Sequence, residues 1–103
     1  MTDDTIKIAN HPSGRQYQAL VVDDSGFVQK QLTHILQSSN VSVLACASDG
    51  QQALDILAQH IDGIDIITLD ITMQGMDGIE TLQHIMHLYK NISVIMISAL
   101  GRE

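Results

Sequence analysis

Three aspartates carry most of the chemistry this chain could perform. Asp23 and Asp24 stand side by side after a short apolar run at 19–22, and Asp70 closes a second run at 64–69. Ser98 follows a third run, at 92–97. Carboxylates that converge in space repel by about 4 kcal/mol per pair at 4 Å and an effective dielectric of 20. A folded chain keeps such a cluster when a divalent cation neutralises it or one carboxyl holds a proton. The donors are all oxygen, with no His or Cys at these positions, which favours Mg2+, Mn2+ or Ca2+ over zinc. Few protein ligands, with room for water, favour Mg2+. A hydroxyl at Ser98 suits an oxyanion such as a phosphoryl group, and Asp70 could itself be a nucleophile.

The elements around these residues decide whether they meet. Residues 19–22, 41–47, 64–69 and 92–97 read as strands. Between them, Phe27, Val28, Leu32, Ile35 and Leu36 recur at helical spacing, as do Ala53, Leu54, Leu57 and Ala58, then Ile79, Leu82, Ile85, Met86 and Tyr89. Asp24 or Ser25 suits the N-cap of the first helix. The segment 71–78, with Gly75 and Gly78, reads as a loop. The order is β-α-β-α-β-α-β, and right-handed crossovers make that an open parallel sheet with helices on both faces. Ligands of such sheets sit beyond the carboxyl ends of the strands. The first and third strands are neighbours at the switch point, so Asp23, Asp24 and Asp70 are expected at one edge.

Composition narrows the partners. The 103 residues hold five Lys and Arg against twelve Asp and Glu, a net charge of −7. Nucleic acid and anionic membrane are therefore not expected as partners. No apolar run approaches the ~20 residues of a membrane span, and the N-terminus has no signal-peptide pattern. Cys46 is the single cysteine, so no internal disulfide forms and a cytoplasmic setting is expected. Cys46 and Phe27 are expected in the core. His84 and His87 read as a solvated helix face. Residues 1–17 read as an N-terminal extension, with a short strand at 5–9, and residues 18–103 as the domain.

Three segments together resemble the response-regulator receiver domains, and within them the chemotaxis branch. They are Val21-Val22-Asp23-Asp24-Ser25, then Leu69-Asp70-Ile71-Thr72-Met73-Gln74-Gly75-Met76-Asp77-Gly78, then Ile97-Ser98-Ala99. The resemblance implies a flavodoxin-like doubly wound fold. It implies a phosphoacceptor at Asp70 and a Mg2+ site built from Asp23, Asp24, Asp70 and the backbone carbonyl of Thr72. It implies phosphoryl sensing by Ser98, with Ala99 leaving room for the group, and matches Gly78 to the glycine after the loop. The phosphoryl donor it implies is a phosphohistidine on a sensor histidine kinase or phosphotransfer domain, with Ser25, Gly26 and Gln29 as candidate contacts. The family is a switch rather than an enzyme.

The chain departs from the pattern at Gln74, where proline is usual, and at Gln29, where arginine is frequent. It is also expected to lack the fourth helix, fifth strand and fifth helix, and with them the family's lysine. The strand at 92–97 would then be an exposed edge, a template for a homodimer or a swapped dimer. The alternative function is therefore a degenerate, non-phosphorylated receiver acting as a dimerisation or interaction module. An aspartyl-phosphate hydrolase would need an acid where Thr72 stands. A dinucleotide site would need a glycine-rich turn in place of Asp23-Asp24-Ser25-Gly26.

Overall fold

The computed structural model describes residues 7–73 and 77–97. Four strands and three helices alternate: β1 (Tyr17–Val22), α1 (Gly26–Ser38), β2 (Val41–Ala47), α2 (Gly50–Gln59), β3 (Ile66–Asp70), α3 (Gly78–Leu88) and β4 (Ser93–Ile97). The sheet order is β2-β1-β3-β4, and each neighbouring pair is parallel. The chain thus steps outward from β1 to β2, then crosses back over β1 to β3. With right-handed crossovers, that reversal puts α1 on one face and α2 and α3 on the other. The expected α/β class, element order and β1–β3 adjacency are all present. Four strand bounds differ by one or two residues: β1 begins at Tyr17, β3 runs from Ile66 to Asp70, and β4 begins at Ser93.

Alternation along each strand sorts the residues. Leu20, Val22, Ala47, Ile67 and Leu69 meet Ala53 and Leu57 of α2 and Ile85 of α3 in one fully buried core. Ala19, Val21 and Thr68 face the α1 side and are also buried. The Thr68 hydroxyl has no hydrogen-bond partner there. Helix α1 contributes no buried residue. Val28, Leu32 and Leu36 turn to the sheet and are half-buried, whereas Phe27 lies on the flank and is 70% exposed. The expectation of Phe27 as core is therefore corrected: no described element packs beside α1 to cover that flank. Cys46 is likewise exposed. It lies on β2, an edge of the sheet among the described residues, opposite Val21 of β1, and its sulfur lies 3.7 Å from the Thr33 hydroxyl.

Each helix starts on a cap that the sequence supplies. Ser25 Oγ accepts from Val28 N (3.2 Å), Asp49 Oδ1 from Gln52 N (2.8 Å) and Asp77 Oδ1 from Glu80 N (2.8 Å). Each satisfies one of the orphan donors of a first turn. Of the two candidate caps for α1, Ser25 is the one used.

The segment before β1 is fastened to the domain at the edge opposite the aspartates. Ile8 N donates to Ser39 O (2.8 Å). The Asn40 amide donates to Ile8 O (2.8 Å) and Asn10 Oδ1 (2.7 Å), from a residue at φ 68°. Residues 7–9 are not a strand; the rest of the strand expected at 5–9 lies outside the described residues. Arg15 grips Asp65 with both terminal nitrogens, at 2.7 and 3.0 Å, and Gln18 N donates to the same carboxylate (2.9 Å).

That clasp has a pH signature. The Arg15 hydrogen bond, opposed by partial burial and aided by the Gln18 N–H, holds the Asp65 carboxyl below its ordinary range. A carboxyl depressed in the folded state stabilises above its unfolded pKa, about 4. That contribution is lost as pH falls through the lower folded value. Thermal melts of Asp65→Asn are thus expected to sit slightly below wild type at neutral pH and to converge with it in strong acid. A gap that persists below the folded value would contradict this account. The effect is small because the pair is solvent-screened.

Candidate functional site

The carboxyl ends of β1 and β3 lie side by side, in register up to Val22 opposite Leu69. The next residues are Asp23 on one strand end and Asp70 on the other. Both are 3% exposed, while Asp24 is open to solvent. One carboxylate oxygen from each of the three lies within 4.8 Å of the others. The convergence expected from topology is present.

Local bonds set the shape of the cluster. Asp23 N donates to Ala47 O (3.0 Å), tying the end of β1 to the end of β2. Asp23 Oδ1 accepts from Ser25 N (2.9 Å), which turns the chain into α1. Asp70 Oδ1 accepts from both the backbone N–H (2.9 Å) and the hydroxyl (2.8 Å) of Thr72. No donor among the described residues reaches Oδ2 of Asp70. One oxygen of this buried carboxylate is therefore anchored by Thr72.

Behind Asp70 the loop closes on itself. Thr81 Oγ1 donates to Asp77 O (2.8 Å), and Gly78 lies against the backbone of Asp70 and Ile71. A Cβ at Gly78 would overlap the Asp70 carbonyl oxygen and the Ile71 Cα. The glycine is there for space, since the loop must return to within contact of the strand end it left.

Three oxygen donors from two buried side chains and one exposed one suit a hard cation. The three oxygens lie within 4.8 Å of one another, close enough for one small cation to be shared between them. Asp24, at the solvent side, leaves room for water ligands.

The remaining expected site residues are placed as follows. Thr72 adjoins Asp70, and its hydroxyl bond to Oδ1 is a contact that the motif alone did not suggest. Ser25 is the cap of α1, and Gly26 opens that helix at the surface. Gln29 is half-buried and turned inward: its amide nitrogen donates to Asp23 O (2.7 Å), with Ala47 O at 3.3 Å and Ser48 Oγ at 3.4 Å. Gln74, Gly75 and Met76, and Ser98 and Ala99, lie outside the described residues.

An α/β sheet of order β2-β1-β3-β4, with three aspartates at the β1 and β3 ends, is a receiver-type fold with an acidic cluster at the carboxyl edge of its sheet. Residues 19–103 match the response regulator receiver domain model, and the chain belongs to that family. Its likeness is to CheY. It is 43% identical over 101 residues to the chemotaxis protein CheY of Treponema pallidum, covering 98% of this chain and 70% of that protein. The CheX-CheY-BeF3-Mg2+ complex from Borrelia burgdorferi superposes with a TM-score of 0.83 at 47% identity, covering 96% of this chain and 72% of that one. The complex of the CheA3 P1 domain with CheY6 from R. sphaeroides gives 0.70 at 34% identity, covering 85% of this chain and 67% of that one. The acidic triad is typical of the Mg2+ site in receivers, and the family is typically a phosphoacceptor switch rather than an enzyme. No helix among the described residues is long and apolar enough to cross a membrane.

Proposed function

We propose that the chain is a CheY-like receiver that accepts a phosphoryl group from a kinase phosphohistidine onto Asp70, in a Mg2+-dependent reaction. The observation that carries this reading is the Asp70 carboxylate, buried, anchored at Oδ1 by Thr72 and flanked by two more aspartates. In the transfer, a free Asp70 oxygen attacks phosphorus while the P–N bond of the phosphohistidine breaks. The bond's electron pair leaves with the imidazole, and an acyl phosphate forms. Thr72 holds Oδ1 so that Oδ2 faces the donor. Asp23, Asp24, Asp70 and the Thr72 carbonyl would hold the Mg2+, which when bound spreads the charge of the phosphoryl oxygens. Burial of Asp23 and Asp70 strengthens every electrostatic contact there. The relative solved with Mg2+ and BeF3, a mimic of a phosphoryl group, supports the same use of the site here.

Ser98 and Ala99 are assigned to phosphoryl sensing on the strength of the resemblance. A histidine kinase or its phosphotransfer domain is the donor partner, as the CheA3 P1 complex of a relative suggests. Such an exchange takes place in the cytoplasm. The domain proper is 18–103, with 1–17 as its extension.

A second reading keeps the fold and drops the chemistry, giving an interaction or dimerisation module. What favours it is β4, a sheet edge among the described residues, with Ile95 half exposed. Intact mass after treatment with a small-molecule phosphodonor separates the two. A Mg2+-dependent gain of one phosphoryl group, absent in Asp70→Asn, is expected. No gain in a folded, Mg2+-binding chain favours the interaction module.

A further inference from the structure

We propose that Gln29 is a positioning residue for the acidic site, acting through the peptide that joins Asp23 to Asp24. The inference rests on reading the three aspartates as the Mg2+ site.

The Asp23 carbonyl belongs to the Asp23–Asp24 peptide plane. A peptide is rigid, so fixing its oxygen fixes the direction in which the chain proceeds to Asp24. The oxygen is held by the Gln29 amide at 2.7 Å. The other end of Asp23 is held by its N–H on Ala47 O at 3.0 Å. The Gln29 amide also reaches that same Ala47 oxygen (3.3 Å) and Ser48 Oγ (3.4 Å). An amide nitrogen has two protons. One serves the short bond, and the two longer contacts share the other. One side chain thus bridges the carbonyl ends of β1 and β2 from the first turns of α1. On the far side, Ser25 N fixes Asp23 Oδ1 at 2.9 Å. The clamp fixes the peptide from which the two acids project, and Ser25 N fixes the Asp23 carboxylate.

The chemistry of the position is specific. It needs N–H donors, because every group it meets can accept, and two of the three are carbonyls. A carboxylate of the same length would face two carbonyl oxygens with no proton to offer. A thioether of the same length would fill the space and leave the carbonyls unclamped. A guanidinium would supply donors again.

The test compares the full chain with Gln29→Met, Gln29→Glu and Gln29→Arg by two readouts. The first is amide hydrogen exchange of the metal-free protein. Gln29→Met and Gln29→Glu are expected to speed exchange at the Asp23 and Ser25 amides about tenfold or more, leaving Thr68 and Leu69 in the sheet centre unchanged. The second is Mg2+ affinity by calorimetry. It is expected to weaken about tenfold in both, with Gln29→Arg returning it to within about threefold of wild type. Uniformly faster exchange across the sheet would overturn the proposal, as would unchanged exchange at Asp23 and Ser25, or arginine failing to rescue a lost affinity. If wild type itself bound no Mg2+, the metal reading would fall, and the exchange pattern alone would decide whether Gln29 holds the loop.

Discussion

Metal-free Asp70→Asn is expected to melt higher than wild type, and Mg2+ is expected to reverse the order. Two unit charges 4.8 Å apart at an effective dielectric of 20 repel by about 3 kcal/mol, and the three carboxylates are at least this close. Asparagine keeps an acceptor oxygen for the two Thr72 donors at Oδ1, so the anchor survives. Relief of repulsion, reduced by water around the exposed Asp24, is expected to leave a net gain of about 1–2 kcal/mol. In a domain of this size that is roughly 4–16 °C in Tm. Wild type then gains about 2.7 kcal/mol when Mg2+ is present at 100 times its Kd, by mass action. The variant loses a charged ligand and should gain almost nothing. Paired melts with and without Mg2+ check both signs. A variant that melts below wild type without metal, or that keeps the full Mg2+ shift, would show that the carboxylates neither repel nor bind as described.

Gly78→Ala is expected to lower stability by at least about 2 kcal/mol. Alanine is the better helix former by about 1 kcal/mol, so propensity alone predicts a gain at the first residue of α3. The obstacle is backbone: the new Cβ would overlap the Asp70 carbonyl oxygen and the Ile71 Cα, and stand 2.9 Å from the Asp70 carbonyl carbon. Side chains can rotate away from a clash, but these atoms cannot. Overpacking costs about 1–3 kcal/mol even where side chains yield, so the loss should outweigh the propensity gain. The variant should therefore melt about 8 °C or more below wild type, and its remaining folded fraction should bind Mg2+ more weakly because Asp70 moves. An unchanged melting temperature would mean that the loop can open without cost.

Much of the fold and of the site is legible in the sequence. The alternation of short β-branched runs with helical stripes yields a parallel α/β sheet with right-handed crossovers, and the flavodoxin-like fold that the resemblance implies supplies the strand order, which the sheet shows. That order places Asp23, Asp24 and Asp70 together. What stayed hidden is of two kinds. Phe27 and Cys46 are exposed where periodicity expects core, because periodicity marks a residue only as apolar and in an element. It does not say whether a neighbour arrives to cover it, and α1 has an open flank while β2 is an edge. The bonds from Gln29 and from the Thr72 hydroxyl were invisible for a different reason. Each depends on which carbonyl or carboxylate oxygen a side chain happens to reach. Gln29 stood out in sequence only as a residue where arginine is frequent. Both have N–H groups to give, and the carbonyls at the ends of β1 and β2 explain why a donor belongs there.

The placing of β1 between β2 and β3 has a consequence for biosynthesis. A ribosome releases the β1-α1-β2 unit first, complete with Asp23, Asp24 and the Gln29 clamp. At that stage the third carboxylate has not been made, and the growing chain offers only half a cation site. Asp70 arrives 46 positions after Asp24 and joins them only when β3 docks along the open side of β1. If the three aspartates hold Mg2+ as proposed, tight capture of the ion would report that the central strand has found its second neighbour. A nascent chain stalled before that step is then expected to bind Mg2+ far more weakly, however well its first unit had formed.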